Sequence, residues 1–208
     1  MTGKLNSLSA RIKRNCRKIR TRIIRKQLKN KDFTIICNNC TGAMVMHDFG
    51  QRLDTPTVNL FITPKEYIQF LSDFEHYIKC DTIENVTTDT NYPVGLLDGK
   101  IHLNFMHYRT FDEAVEAWNR RKQRIHYDNL FIILVVRDGC THEELKAFDK
   151  LPFKHKIALV NKPYQDIKHQ YVVKGYENEK ELGLITEYSN LFGKRVYDEF
   201  DWVQFLNQ

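Results

Sequence analysis

The chain has 208 residues, 42% of them hydrophobic and 12% aromatic, with a net charge of +6. These totals suit one soluble domain with a full core; no run of about 18 apolar residues is there to cross a membrane, and the basic N-terminal region lacks the apolar core of a secretory signal. Five scattered cysteines (Cys16, Cys37, Cys40, Cys80, Cys140) suit free thiols in a cytosolic protein and not a disulfide framework.

Charge is unevenly placed. Residues 1–31 hold 12 Lys/Arg and no Asp/Glu, which leaves 20 basic against 26 acidic residues in the rest. A basic arm over 1–31 on a near-neutral to acidic body over 32–208 points to an anionic surface as partner. Over 5–29, Leu5, Leu8, Ile12, Ile19, Ile23 and Leu28 recur at near-helical steps among cations. Such a basic amphipathic helix can lie in a membrane interface, or can pack its stripe on its own domain and solvate its charges. The arm has no aromatic residue to stack on bases, which argues against nucleic acid.

The elements then follow in order. Phe33 to Cys37 reads as a buried strand, which runs directly into the turn Asn38-Asn39-Cys40-Thr41-Gly42, built of residue types that tolerate tight turns. A short helix is expected from Gly42 to Leu53 and a second strand over Thr57–Ile62. Thr63, Pro64 and Glu66 read as a capped helix start, with Tyr67, Ile68, Leu71, Phe74 and Ile78 as its inner stripe. Residues 81–92 look like a surface loop. Asp98-Gly99 joins two short strands as a hairpin. Thr110 and Glu113 open a helix whose end holds Arg120, Arg121 and Arg124. Asn129 to Val136 is the most apolar run, hence a central strand. Thr141 and Glu144 cap the next helix, and further strands are expected over 156–160 and 169–174, the latter at an edge, before a final helix over 198–206. Strands alternating with capped helices predict a three-layer α/β fold, its sheet mainly parallel with helices on both faces, preceded by the basic amphipathic helix.

In such sheets ligands bind beyond the carboxyl ends of the strands, so Asn38, Asn39, Cys40 and Gly42 are the first site candidates. Cys40 could act as a functional thiol and His107 as a general base, with Tyr108 as a polar handle beside it. Cys37 and Cys40 have C-x-x-C spacing, but the second ligand pair that a zinc site needs is missing, so no metal is expected; a redox pair at the helix start and a Cys40 that merely packs are the other readings. Asn38 and Asn39 can hold sugar hydroxyls or phosphate oxygens, or can satisfy the turn's own backbone. Arg120 and Arg124 share a helix face and, with Arg121, can grip a phosphate or carboxylate; they equally suit the helix dipole, with Asp128 as an ion partner. The common nucleotide, hydrolase and metalloprotease signatures are absent, and the sequence does not say which cofactor, if any, is used.

The run Phe33–Gly42 resembles the asparagine-asparagine-cysteine opening of a bacterial family of unknown function found among exopolysaccharide and capsule biosynthesis proteins. Thr55–Ile62, Tyr92–Leu97, His107-Tyr108, Trp118–Arg121 with Arg124-Ile125, Asp128–Phe131 and Phe148–Pro152 extend the resemblance over roughly residues 30–205. The family usually has serine where this chain has Cys37 and an aromatic residue where it has Thr41, so the C-x-x-C pair is not part of the pattern. The resemblance implies a three-layer α/β fold and a role in making a surface polysaccharide. The expectation is therefore a transferase (glycosyl, acyl or phospho) acting on a sugar-phosphate or lipid-linked saccharide precursor, in the cytoplasm and peripheral to the inner face of the membrane. The alternative is a non-catalytic binding or assembly protein of the same pathway. The transferase expectation has Cys40 or His107 act at the reacting hydroxyl, Asn38 and Asn39 orient the sugar, and Arg120 and Arg124 neutralise a donor phosphate, and it requires these residues to converge on one pocket.

Overall fold

The computed structural model describes residues 2–208, with side chains from residue 8 onward, so the side chain of Leu5 lies outside the described residues. A long helix, α1 (Thr2–Gln27), leads into β1 (Thr34–Cys37) and α2 (Thr41–Asp48). The helix capped near Thr63 is interrupted at Asp73 into α3 (Pro64–Ser72) and α4 (Phe74–Lys79). Three short strands follow, β2 (Ile83–Asn85), β3 (Val94–Leu97) and β4 (Ile101–Asn104), then α5 (Phe111–Lys122). The chain continues through β5 (Leu130–Val135), α6 (His142–Lys150), β6 (His155–Val160) and β7 (Gln170–Val172), and ends in α7 (Trp202–Leu206).

The main sheet has the order β1-β5-β6-β7 and every neighbouring pair is parallel. Because side chains alternate across a strand, it buries two faces. Ile36, Ile132, Leu134, Ala158 and Val160 pack with α3, α4, α5 and α6, through residues such as Phe70, Trp118 and Phe148. Ile35, Cys37, Phe131, Ile133, Val135 and Leu159 pack with Leu28, α2 and α7 on the other side. The smaller antiparallel sheet, β2-β3-β4, turns at Asp98 and Gly99, whose φ values of 52° and 62° are those of a primed hairpin turn. Thr141 and Glu144 make a full capping box, and the Thr110 hydroxyl accepts the Glu113 amide at 3.2 Å.

Several expectations change. Residues 57–62 form no strand: Asn59 sits at φ 62° and only Phe61 pairs, with Asn104. The segment closes the outer edge of β1 in another way. Thr57 Oγ1 accepts the Cys37 amide at 3.2 Å, Asn38 O accepts the Ile62 amide at 2.9 Å, and Tyr67 donates to Ile36 O at 2.9 Å. An edge that would otherwise pair with another chain is thus satisfied internally. The second change is β2, which lies inside the stretch expected as a loop. Thr63 also differs, since its hydroxyl donates to the Glu66 carboxylate at 3.0 Å and caps no backbone amide.

Helix α1 lies against the body by its polar side together with Ile24, and of the expected stripe Leu28, just past the helix end, is buried in the core. Arg17 is buried and bonded to Asp48, Asp198, the Tyr197 hydroxyl and Gly193 O. Arg25 donates to Asp48 O and His47 O at 2.8 and 3.0 Å, carbonyls at the negative end of α2. Leu8, Ile12, Ile19 and Ile23 point outward, each 44–59% exposed. No helix among the described residues is long and apolar enough to cross a membrane.

Candidate functional site at the carboxyl ends of β1 and β5

The chain leaves β1 for α2 on one face of the sheet and leaves β5 for α6 on the other. Adjacent parallel strands whose connections diverge in this way open a crevice between them. Asn38 marks its floor. It is 1% exposed, its amide donates to Val135 O at 3.1 Å, and its carbonyl accepts the Val135 amide at 2.9 Å. The β1–β5 ladder ends at Cys37 and Ile133, and the Asn38 side chain supplies the next rung.

Beyond that rung lies a cleft of about 400 Å³. Six segments converge on it. The turn after β1 contributes Asn39, Cys40 and Thr41; α2 adds Met44; the irregular segment adds Leu60 and Phe61; the end of the hairpin adds Met106 and His107; the loop after β5 adds Arg137 and Asp138; and Leu184 and Thr186 close the far side. Asn39 Oδ1 accepts the Thr41 amide at 3.0 Å, which starts α2 at the rim. Arg137 is fixed by Asp138 at 3.2 Å and by Gly183 O at 3.4 Å. Burial pushes the Cys40 thiol up, partly opposed by backbone hydrogen bonds at Asn59 and Leu60. Cys37 is fully buried and pushed up to about 12 by desolvation. All five cysteines are free thiols. No group of three or more His, Cys, Asp and Glu side chains able to hold a metal is found among the described residues.

Asn39, Cys40 and His107 therefore share one cavity; Asn38 lies beneath it with its side chain spent on Val135 and does not line it, and the other candidates lie apart. Gly42 lies at the sheet, where a Cβ would come within 2.7 Å of Cys37 Cβ and 2.9 Å of Ile35 Cγ2, so its absence of side chain sets the α2–β1 approach. Tyr108 is bonded to Arg121 and donates to Val58 O at 3.3 Å. Arg120 pairs with Glu116 on the helix surface, and Asp128 is exposed. Arg124 is at the opposite end of the sheet. It meets Asp54 at 3.1 Å and Leu53 O at 3.2 Å, while Asp54 O accepts the hydroxyl of Thr34, the first residue of β1. The cation of the cleft is Arg137. Its signal in the sequence was its position, one residue past an unbroken apolar run and just before an Asp-Gly turn, where Asp138 and Gly139 take φ 56° and 79°.

Asp54 binds Arg52, Arg124 and His126. Burial works against its charged form, but these partners more than offset it and hold the carboxyl below its usual range. A carboxyl depressed in the folded state contributes stability above its unfolded pKa, near 4, and loses it as pH falls through the folded value. Asp54→Asn is expected to cost about 1–2 kcal/mol at pH 7. In urea titrations against pH, the gap between wild type and D54N should be constant above about pH 5 and close below about pH 4; a gap that widens on acidification would reverse the assignment.

Comparison with known proteins adds two findings. Residues 11–207 match the family described as "Domain of unknown function (DUF1919)". A Haemophilus influenzae protein carrying the name "Uncharacterized protein" is 39% identical over 186 residues, which are 89% of this chain and 89% of its own.

Proposed function

We propose that this chain, which belongs to the DUF1919 family, takes a phosphorylated or lipid-linked sugar precursor into the cleft and transfers a group to or from it during synthesis of a surface polysaccharide. The observation that carries this reading is the convergence of Asn39, Cys40, His107 and Arg137 on one cavity beyond the carboxyl ends of β1 and β5. Arg137 and the amino end of α2 favour an anionic group. Asn39, Thr41 and Asp138 offer partners for hydroxyls, and Leu60, Phe61 and Met106 supply an apolar wall. His107 is the base for a reacting hydroxyl. The raised Cys40 thiol stays protonated at neutral pH and serves as a binding contact, since the thiolate is the nucleophile. The polysaccharide setting rests on the sequence resemblance over residues 30–205.

Two observations favour the non-catalytic alternative. Arg120, Arg121 and Arg124 do not reach the cleft that the transferase expectation required them to share. The His107 ring is exposed and has no side-chain partner among the described residues, whereas a catalytic base is normally held by a third group. Calorimetric titration with sugar phosphates and nucleotide-sugars, coupled to a turnover assay, separates the two. The transferase reading expects binding that Arg137→Ala weakens at least about tenfold, and turnover that His107→Ala lowers by about 100-fold or more with little change in affinity. Binding without turnover supports the alternative. If no ligand of these classes binds, or R137A binds as wild type does, both readings fall.

A further inference from the structure

The orientation of α1 is the reverse of an ordinary surface helix, which turns its apolar stripe inward. Here the inward side carries the buried Arg17 and Thr21 with the partly buried Ile24, and Arg20 reaches Asp198 at 3.3 Å. The outward side carries Leu8, Ile12, Ile19 and Ile23, all exposed. At about 100° per residue these four fall within about 60° of arc, a single stripe along the helix. Lys18, Arg11 and Arg22 flank it on one side, Lys26 lies at its end, and all four are exposed and free of ion pairs among the described residues. The helix contains no acidic residue.

We propose that this outward face of α1 is a docking surface for an anionic lipid membrane, which takes the aliphatic stripe among its acyl chains while the flanking cations reach the headgroups. The inference is independent of the cleft and of the chemistry assigned to it. Charge selects the occupant. A second copy of this chain would bring one acid-free cationic helix against another, and the repulsion opposes a stripe-to-stripe dimer. Nucleic acid would satisfy the cations but leave the aliphatic side chains in water, with no aromatic group to stack on a base. A bilayer interface satisfies both, since long cationic side chains can lay their stems along the apolar boundary and keep their heads at the phosphates. Docking requires no release of α1, because Arg17 and Arg25 hold it with the stripe already outward.

Co-sedimentation of the full chain with vesicles tests this. Vesicles of equal parts phosphatidylglycerol and phosphatidylcholine should pellet the protein, and phosphatidylcholine alone should not. Ile12→Asn with Ile19→Asn should lower the partition coefficient at least about tenfold, with an unchanged urea midpoint because both positions are exposed. Arg11→Gln and Arg22→Gln should each lower it about fivefold, and added salt should mimic them. The proposal is overturned if wild type stays in the supernatant, if it pellets equally with neutral vesicles, or if the double Ile variant still pellets. It is equally overturned if sedimentation velocity gives a dimer that the Ile variant abolishes, or if the protein retards duplex DNA or RNA at about 0.15 M salt while ignoring vesicles.

Discussion

Arg17→Ala should lower the free energy of unfolding by about 3–5 kcal/mol, the range for removing one partner from a buried charge cluster. Arg17 is 6% exposed, and its guanidinium serves Asp48, Asp198, the Tyr197 hydroxyl at 3.0 Å and Gly193 O at 3.3 Å. Burial alone would lower its pKa; the bonds to Asp198 and Asp48 overcome that, so it is raised. Burial and the Asp48 charge likewise raise the Tyr197 hydroxyl, so it remains a neutral donor to Asp48. With Arg17 gone, the buried Asp48 and Asp198 lose the guanidinium they share, and what remains nearby is Arg20 at Asp198 and the half-buried Arg195 at the Tyr197 hydroxyl. The loss should also free α1, because Gly193 sits so close to the helix that a Cβ there would meet Lys13 O at 2.5 Å and Arg17 N at 2.6 Å. Urea titration reads the stability, and limited proteolysis within residues 8–27 reads the release. Arg17→Lys should recover little, since an ammonium cannot span both carboxylates as the planar fork does. A loss below about 1 kcal/mol would show that the cluster does not fasten the helix.

That cluster also shows where sequence reading stops. Residues 1–31 announced their charge and their helix, but the partners of Arg17 lie 31 and 181 positions away in the chain. Nothing local marks one arginine of twelve cations as the buried one, so the face that docks could not be told from the face that is solvated. The central strand was legible because both its faces are covered, which leaves an unbroken apolar run from Phe131 to Val136. Residues 57–62 carry similar β-branched and aromatic character and yet form no strand, since the left-handed Asn59 and the side-chain contacts of Thr57 to β1 override propensity. The position of the cleft followed from a general rule about parallel sheets, and the turn at Asn39 and Cys40 does line it. Its cation did not follow, because Arg120, Arg121 and Arg124 were conspicuous as a cluster, and Arg137 was one residue beside its own carboxylate.

Asn38→Ala is the second large effect, expected to cost about 2–4 kcal/mol, because it leaves a buried amide and a buried carbonyl of Val135 without partners. The Asn38 side chain is shaped like a peptide group and replaces one. It lets β1 end at Cys37 while β5 runs on to Val135, so the backbone of β1 can turn away and open the crevice with no polar group left bare. A shape-matched replacement tests this separately from lost volume. In Asn38→Asp a neutral carboxyl can donate to Val135 O and accept from its amide, but a carboxylate can only accept and would face a carbonyl. Burial and that repulsion raise the folded pKa of the introduced carboxyl. Its stabilisation is then full below the unfolded value near 4 and is lost as pH rises through the folded one. N38D should therefore approach wild-type stability at about pH 4 and fall toward N38A by about pH 7, read as urea midpoints. A flat pH profile for N38D relative to wild type would mean that the rung does not hold the two strands. Because the turn at Asn39 and Cys40 hangs from this rung, N38A should also weaken whatever the cleft binds, even though Asn38 itself lies outside the cavity.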